Sequence, residues 1–538
     1  MEYGNVQAVE MVFLLLLLFV VVFGELARRL EIPYPVVLVI AGALLGLTPQ
    51  IPKVMLNPDL VFFVILPPLL YSAAWTTSWR DFRFNLVSIL LLAFGLVAFT
   101  VIGVAAGIHW LLPAFDWRIG LVLGAVIAPT DAIAATAIAE RLGLPKQLRD
   151  VLEGESLVND ASGLLALEFG LAIVVGGHAP GVGQGALRLI YLIAVGIVVG
   201  LVTGWIVALV ERHIDHGPIE IVISILVPYA AYFAADRFHA SGVLAVVACG
   251  LFLSRRSSVF FSPNVRLQAW AVWDALDFIL NSLVFVLIGL QLPHVLAAIH
   301  DQSLASLIAY GALFSAFVIL LRMIWVFPSA IIANKIRTRI LHQRVRRPPS
   351  AAIVVAGWSG MRGVIALAAA MALPQTLGDG SPFPQRNFII FLAFSVILVT
   401  LVLQGLTLPV LIRLLGLSEA HDADGEEAAA RKEIVEAALA HLAAERQKDE
   451  STWDAVYEDL TGHYRQRLIA LTGKDDPQNG INPDHHRRMM RLKRELVQLE
   501  RRTAIRLRDQ GRISDETLHE LEREFDLREA GANLEHAA

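Results

Sequence analysis

A chain of 538 residues with 56% hydrophobic and only 17% charged residues is too apolar for a soluble globular protein, which runs near roughly 45–50% apolar and about 25% charged. Residues 1–418 hold 22 acids and 25 bases and residues 419–538 hold 27 acids and 19 bases, so a membrane domain of net charge +3 precedes a water-soluble tail of −8, summing to the formal −5. A single cysteine, Cys249, excludes an intrachain disulfide framework and any Cys-ligated zinc or iron–sulfur centre, and no basic stripe points to nucleic acid.

A hydrocarbon core about 30 Å thick asks for roughly 20 apolar residues per helix. The first apolar run, 6–24, has neither the basic leader nor the small-residue cleavage site of a signal peptide, and reads as a retained span. Twelve more follow, at 34–48, 58–76, 85–112, 119–140, 149–175, 186–210, 218–236, 241–254, 270–292, 304–333, 350–373 and 387–415, the ninth of them unusually short. With the N-terminus outside, the inner loops collect 17 Lys and Arg residues and the outer loops only five. This positive-inside bias orients an all-α polytopic protein in the cell membrane, with residues 419–538 as a helical cytoplasmic tail.

Two spans are interrupted. The fifth reads Ala128-Pro129-Thr130-Asp131, where proline removes a backbone donor and pushes the preceding residue out of the helical region. The twelfth reads Gly357-Trp358-Ser359-Gly360-Met361-Arg362-Gly363, three glycines in seven residues. If spans 1–6 and 8–13 are two repeats, both breaks fall in the fifth helix of a repeat, and the seventh span inverts the second repeat relative to the first. Paired broken helices in inverted halves point to a secondary transporter whose site lies where the breaks meet.

Depth can be counted at about 1.5 Å per residue. Asp160, on span 6, comes out about 16 Å deep, Asp131 about 18 Å and Arg362 about 16 Å, all near the midplane, where charge is costly and marks an ion or substrate path. Ser156, Asn159, Asp160 and Gly163 stand at i, i+3, i+4 and i+7, one helical face, with Glu155 one position round. Carboxylate, hydroxyl and carbonyl oxygens suit a hard cation such as sodium, and the unwound backbone at Thr130 frees carbonyls to complete a shell. Plainer roles stand beside these. Asp131 also fits the N-cap of the second half of its helix, and Asn159 fits a helix–helix hydrogen bond. Arg362 fits either neutralisation of helix-end partial charge or a pair with Glu155. Arg322, about 27 Å along span 11, is expected to snorkel to the inner surface.

Ala128-Pro-Thr-Asp131, Glu155-Ser-Leu-Val-Asn-Asp160 and Gly360-Met-Arg-Gly363 resemble signature motifs of the monovalent cation:proton antiporter-1 family, the sodium/proton exchangers. Leu66-Pro-Pro-Leu-Leu70 and Asn281-Ser-Leu-Val-Phe-Val-Leu-Ile-Gly-Leu290 are similar to further blocks, and the resemblance covers about residues 10–415. It implies a homodimer with a dimerisation part and a mobile core bundle, and no enzyme or cofactor, only transported Na+ and H+. It implies that Asp160 binds either ion, with Ser156, Asp131 and the Thr130 backbone near Na+, Asn159 holding the broken helix and Glu155 paired with Arg362. Asn159-Asp160, where an electrogenic branch has two aspartates, implies one-for-one electroneutral exchange. Some relatives carry an acid shortly after the Leu-Pro-Pro block, where this chain has Tyr71-Ser72-Ala73-Ala74.

K+/H+ exchange by the same mechanism is the nearest alternative, because oxygen ligands do not reveal cavity size. A cation channel would want a continuous polar lining, and an intramembrane aspartyl protease a Gly-x-Gly-Asp sequence within a span, which does not occur. In the tail, repeated Glu/Arg pairs and periodic Leu and Ile suggest helices of a regulatory or dimer-stabilising domain. Its basic clusters at Arg487–Arg494 and Arg501–Arg508 fit a solvated helix face or contact with anionic headgroups.

Overall fold

The computed structural model describes residues 2–48, 56–113, 115–131, 135–136, 142, 144–176, 182–214, 216–256, 263–299, 302–343, 348–377, 380–417, 422–448, 453–472, 483–510 and scattered positions between 512 and 528. The chain forms two compact units, Met1–Glu419 and Ala420–Ala538. Among the described residues of the first, the helices of eight residues or more are, in chain order, α1 (Glu2–Leu30), α2 (Tyr34–Gly46), α3 (Pro58–Thr76), α4 (Trp79–Leu111), α5 (Trp117–Ile127), α6 (Lys146–Gly176), α7 (Val182–Glu211), α8 (Gly217–Arg237), α9 (Gly242–Ser254), α10 (Pro263–Leu290), α11 (Leu304–Arg339), α12 (Ser350–Trp358), α13 (Val364–Met371) and α14 (Arg386–Leu414). Eight of these, α3, α4, α6, α7, α8, α10, α11 and α14, are long and apolar enough to cross a membrane, and α2, α5 and α9 are shorter apolar helices. The polytopic all-helical reading therefore holds. The short ninth span is a 13-residue helix, its N-terminus capped by Ser241 Oγ, which accepts from Leu244 N–H at 3.2 Å.

Lipid offers no hydrophobic drive between helices, so close backbone approach carries the packing. Gly42 of α2 lies against the Val286 backbone of α10, and Gly289 of α10 against Val39 and Ala43; a side chain at either would strike main chain. Gly120 and Gly124 do the same for α5 against α4.

Among the described residues, three helices contain π-helical turns, at Val61–Ile65, Leu91–Leu96 and Thr400–Gln404. Such turns and prolines release carbonyls from the helical ladder, and other helices satisfy them. Pro68 has no N–H for Val64 O, which accepts instead from the Tyr229 hydroxyl at 2.9 Å. In the turn of α4, Leu91 O accepts from Trp325 Nε1 at 3.0 Å and Ala93 O from Ser162 Oγ at 2.5 Å. The π-turns thus tie α3 and α4 to α6, α8 and α11.

Both expected helix breaks occur. Helix α5 stops at Ile127, with Ala128–Asp131 non-helical; α12 stops at Trp358 and α13 resumes at Val364. Most of the continuation of the fifth span, 132–140, lies outside the described residues.

The second unit contains the helices α15 (Asp422–Arg446), α16 (Asp454–Thr472) and α17 (Pro483–Asp509). Val497 and Ala504 of α17 bury against Leu518 and Phe525. Arg501 pairs with Asp526 at 2.6 Å and Arg528 with Glu500 at 3.2 Å, so part of the basic face of α17 meets the acids that follow it.

Candidate ion-binding site

The two unwound stretches meet and are joined by one main-chain hydrogen bond, Asp131 N–H to Met361 O at 2.8 Å. Each break leaves carbonyls without helical partners, and an arginine serves each. Arg362 donates from Nε to Ile127 O, the last residue of α5, at 3.0 Å, and from Nη1 to Gly360 O. Arg322 donates from Nε to Gly357 O at 3.1 Å and from Nη2 to Ala356 O at 3.0 Å, both in the last turn of α12. Cations at helix C-termini also meet the negative end of the macrodipole.

Two expectations are corrected here. Glu155 does not pair with Arg362. It forms a bidentate pair with Arg322, Nη1 to Oε1 at 2.5 Å and Nη2 to Oε2 at 3.0 Å, with both residues 1% exposed. Arg322 therefore does not snorkel. The depth count failed because α11 has 36 residues, about 54 Å of helix, far more than the roughly 30 Å hydrocarbon core. Counted from both observed ends, Arg322 is central. The one signal for its position was Gly360, where any side chain would collide with the Arg322 guanidinium.

For Arg362, helix-end neutralisation is the reading the geometry supports. Its own N–H donates to Thr400 Oγ1 at 3.1 Å. Thr400 opens the π-turn of α14, and sequence reasoning passed over it because an isolated threonine in an apolar span carries no pattern.

Thr130, buried, links the broken segment to α6. Its hydroxyl donates to Glu155 Oε1 at 2.9 Å and accepts from Asn159 Nδ2 at 2.5 Å, while Asn159 Nδ2 also lies 3.3 Å from Thr130 O. Gly163, one turn on, fits under the Pro129 ring, where a side chain would overlap it. The Asp131 carboxylate lies over Gly363, just ahead of α13, so it sits by the N-terminus of the other broken helix; the cap expected on its own helix falls outside the described residues.

Asp160, Asp131, Ser156 and Thr130, the four residues assigned to the ion, line one cavity of about 280 Å³. Asn159, Glu155 and Arg362 are buried behind its wall. Asp160 is 6% exposed and forms no ion pair among the described residues. A carboxylate so placed must be protonated or cation-bound. The cavity also reaches a residue that sequence reasoning missed, Asp277 of α10, whose carboxylate accepts from Ser72 Oγ.

The sodium/hydrogen exchanger transmembrane family profile matches residues 14–414. A Mycobacterium tuberculosis protein named as an uncharacterised Na+/H+ exchanger is 34% identical over 95% of this chain and 94% of its own. An Escherichia coli protein of the same description is 31% identical over 93% and 94%. A Bacillus pumilus protein named sodium, potassium, lithium and rubidium/H+ antiporter is 32% identical over 92% of this chain and 73% of its own. Among solved structures, the sodium proton antiporter from Methanocaldococcus jannaschii at pH 8 matches with a TM-score of 0.57 at 20% identity, covering 77% of this chain and 99% of that one, a likeness of fold. The family match spans every helix that builds the crossed breaks and the cavity, and the chain belongs to the sodium/hydrogen exchanger family of membrane transporters.

Proposed function

We propose that this protein exchanges Na+ for H+ one for one across the cell membrane, by alternating access, with Asp160 carrying either ion. The observation that carries the reading is the buried Asp160, without an ion pair among the described residues, opening on the same cavity as Asp131, Ser156 and Thr130. Sodium would take oxygens from these residues, and a proton would replace it on Asp160. Glu155, Arg322, Asn159 and Arg362 hold the frame: each is buried and spent on the broken helices, leaving Asp160 to cycle. Exchange of one Na+ for one H+ on a single carboxylate moves no net charge.

The positive-inside count supports a cytoplasmic position for the arginine-rich loops and residues 419–538, where the tail would act as a regulatory domain. The family resemblance supports a homodimer. A second reading, exchange of K+ and other alkali cations for H+, is favoured by the name of the Bacillus pumilus relative, a sodium, potassium, lithium and rubidium/H+ antiporter.

The test is ion-pulsed dequenching of a pH dye in everted vesicles with each alkali cation in turn. Wild type should respond to Na+, and Asp160→Asn should abolish the response while remaining folded in the membrane. Substantial exchange by that variant would refute the assignment. Equal responses to Na+ and K+ would favour the broader specificity.

A further inference from the structure

The stretch after Leu66-Pro67-Pro68 contains no acid, yet Ser72 within it is hydrogen-bonded to one from another helix. Ser72, buried on α3, donates through Oγ to Asp277 Oδ2 on α10. The other carboxylate oxygen, Oδ1, is buried and has no hydrogen-bond partner among the described residues, and Asp277 forms no ion pair there. Hydrogen bonding to Ser72 orients the carboxylate and leaves it lone pairs to spare.

Position gives this group a role. On α6 the cavity wall runs through Glu153, Ser156 and Asp160; on α10 it runs from Asp277 through Asn281 to Val284. Both helices begin at arginine-rich loops, α6 beside Lys146 and Arg149 and α10 after Arg255 and Arg256. Counting from that side, Asp160 stands 14 residues into α6 and Asp277 14 residues into α10, so the two carboxylates reach the cavity at similar depth from different helices. Asn281, one turn on from Asp277 on the same face, adds an amide to the same wall.

We propose that Asp277, held by Ser72, is a second binding station for a monovalent cation in the cavity that Asp160 lines. A lone carboxylate there concentrates cations in a low-dielectric channel. The Ser72 hydroxyl and Asn281 amide replace part of the lost hydration, and the cation moves on to Asp160. Asp277 regains its starting charge in every cycle, so the stoichiometry is untouched. A merely structural Ser72–Asp277 clamp between α3 and α10 predicts lost stability without an effect on cation affinity.

The inference rests on the exchange reading, and the experiment separates the two. In proteoliposomes, Asp277→Asn keeps an acceptor for Ser72 and removes the charge; Km for Na+ should rise about tenfold, with most of Vmax recovered at saturating Na+ and an unchanged melting temperature. Asp277→Glu should restore Km, and Ser72→Ala should raise it less. Binding is read independently as the Na+-induced shift in melting temperature of purified protein. Asp160→Asn should keep part of that shift, and Asp160→Asn with Asp277→Asn should lose it. A wild-type Km in Asp277→Asn, or loss of the whole shift in Asp160→Asn alone, would overturn the second station. A fall in melting temperature with Km unchanged, in Ser72→Ala or Asp277→Asn, would reduce the pair to a clamp. Continued exchange by Asp160→Asn would instead strike at the exchange reading.

Discussion

Glu155 and Arg322 stand 167 residues apart and meet in a fully buried bidentate contact beside the site. Removing one partner of such a pair strands the other charge and costs about 3–5 kcal/mol. Glu155→Ala and Arg322→Ala should each lower the melting temperature strongly, while the double variant recovers part of the loss. Arg362→Ala should combine additively with Glu155→Ala, because Arg362 bonds carbonyls and not this carboxylate. Coupling between Glu155 and Arg362 larger than that between Glu155 and Arg322, in double-mutant cycles of thermal unfolding, would contradict the geometry. The reason the partner of Glu155 was misread is physical. A sequence shows spacing along one helix and is silent on which of two arginines from other helices arrives. The stripe Ser156, Asn159, Asp160, Gly163 was legible because it lies within one helix, where 3.6-residue periodicity sets the faces. Asp277 was not, since its meaning depends on α3 lying against α10.

The crossing of α5 with the α12–α13 break was legible from Pro129 and from Gly357, Gly360 and Gly363, the residue types that interrupt a helix. Their detailed uses were not. Gly360 admits the Arg322 side chain, Gly363 admits Asp131, and Gly163 admits Pro129. Each marks a place where something approaches the backbone, which composition reveals only as permissiveness. Gly163→Ala should therefore push Pro129 and with it the Thr130 segment, at the roughly 1–3 kcal/mol typical of overpacking, and depress exchange. Gly183→Ala, on α7 with nothing within 4 Å of the added carbon, should leave both stability and transport nearly unchanged. Equal behaviour of the two variants in melting temperature and initial rate would show that the Pro129–Gly163 contact does not set the crossing.

At the scale of the whole molecule, the proposed exchange asks one carboxylate, Asp160, to couple two gradients. Arg322 is neutralised by Glu155, and Arg362 is held by hydrogen bonds to two carbonyls. If one carboxylate trades a proton for Na+, a membrane potential imposed without a pH gradient should drive no sodium flux in proteoliposomes; such a flux would defeat one-for-one exchange. The same economy dictates the pH profile. If protons and Na+ exclude each other on Asp160, the apparent Km for Na+ should rise about tenfold per pH unit below the pKa of the site and level off above it. Vmax at saturating Na+ should change far less. The measurement is the initial exchange rate over a grid of Na+ concentrations and symmetrical pH. A Km constant from about pH 5.5 to 8.5, a range far wider than a single titration, would show that the two ions do not share Asp160. A low-pH shutdown that added Na+ fails to relieve would place a separate proton sensor outside the cavity, and deletion of residues 420–538 would then show whether the second unit houses it.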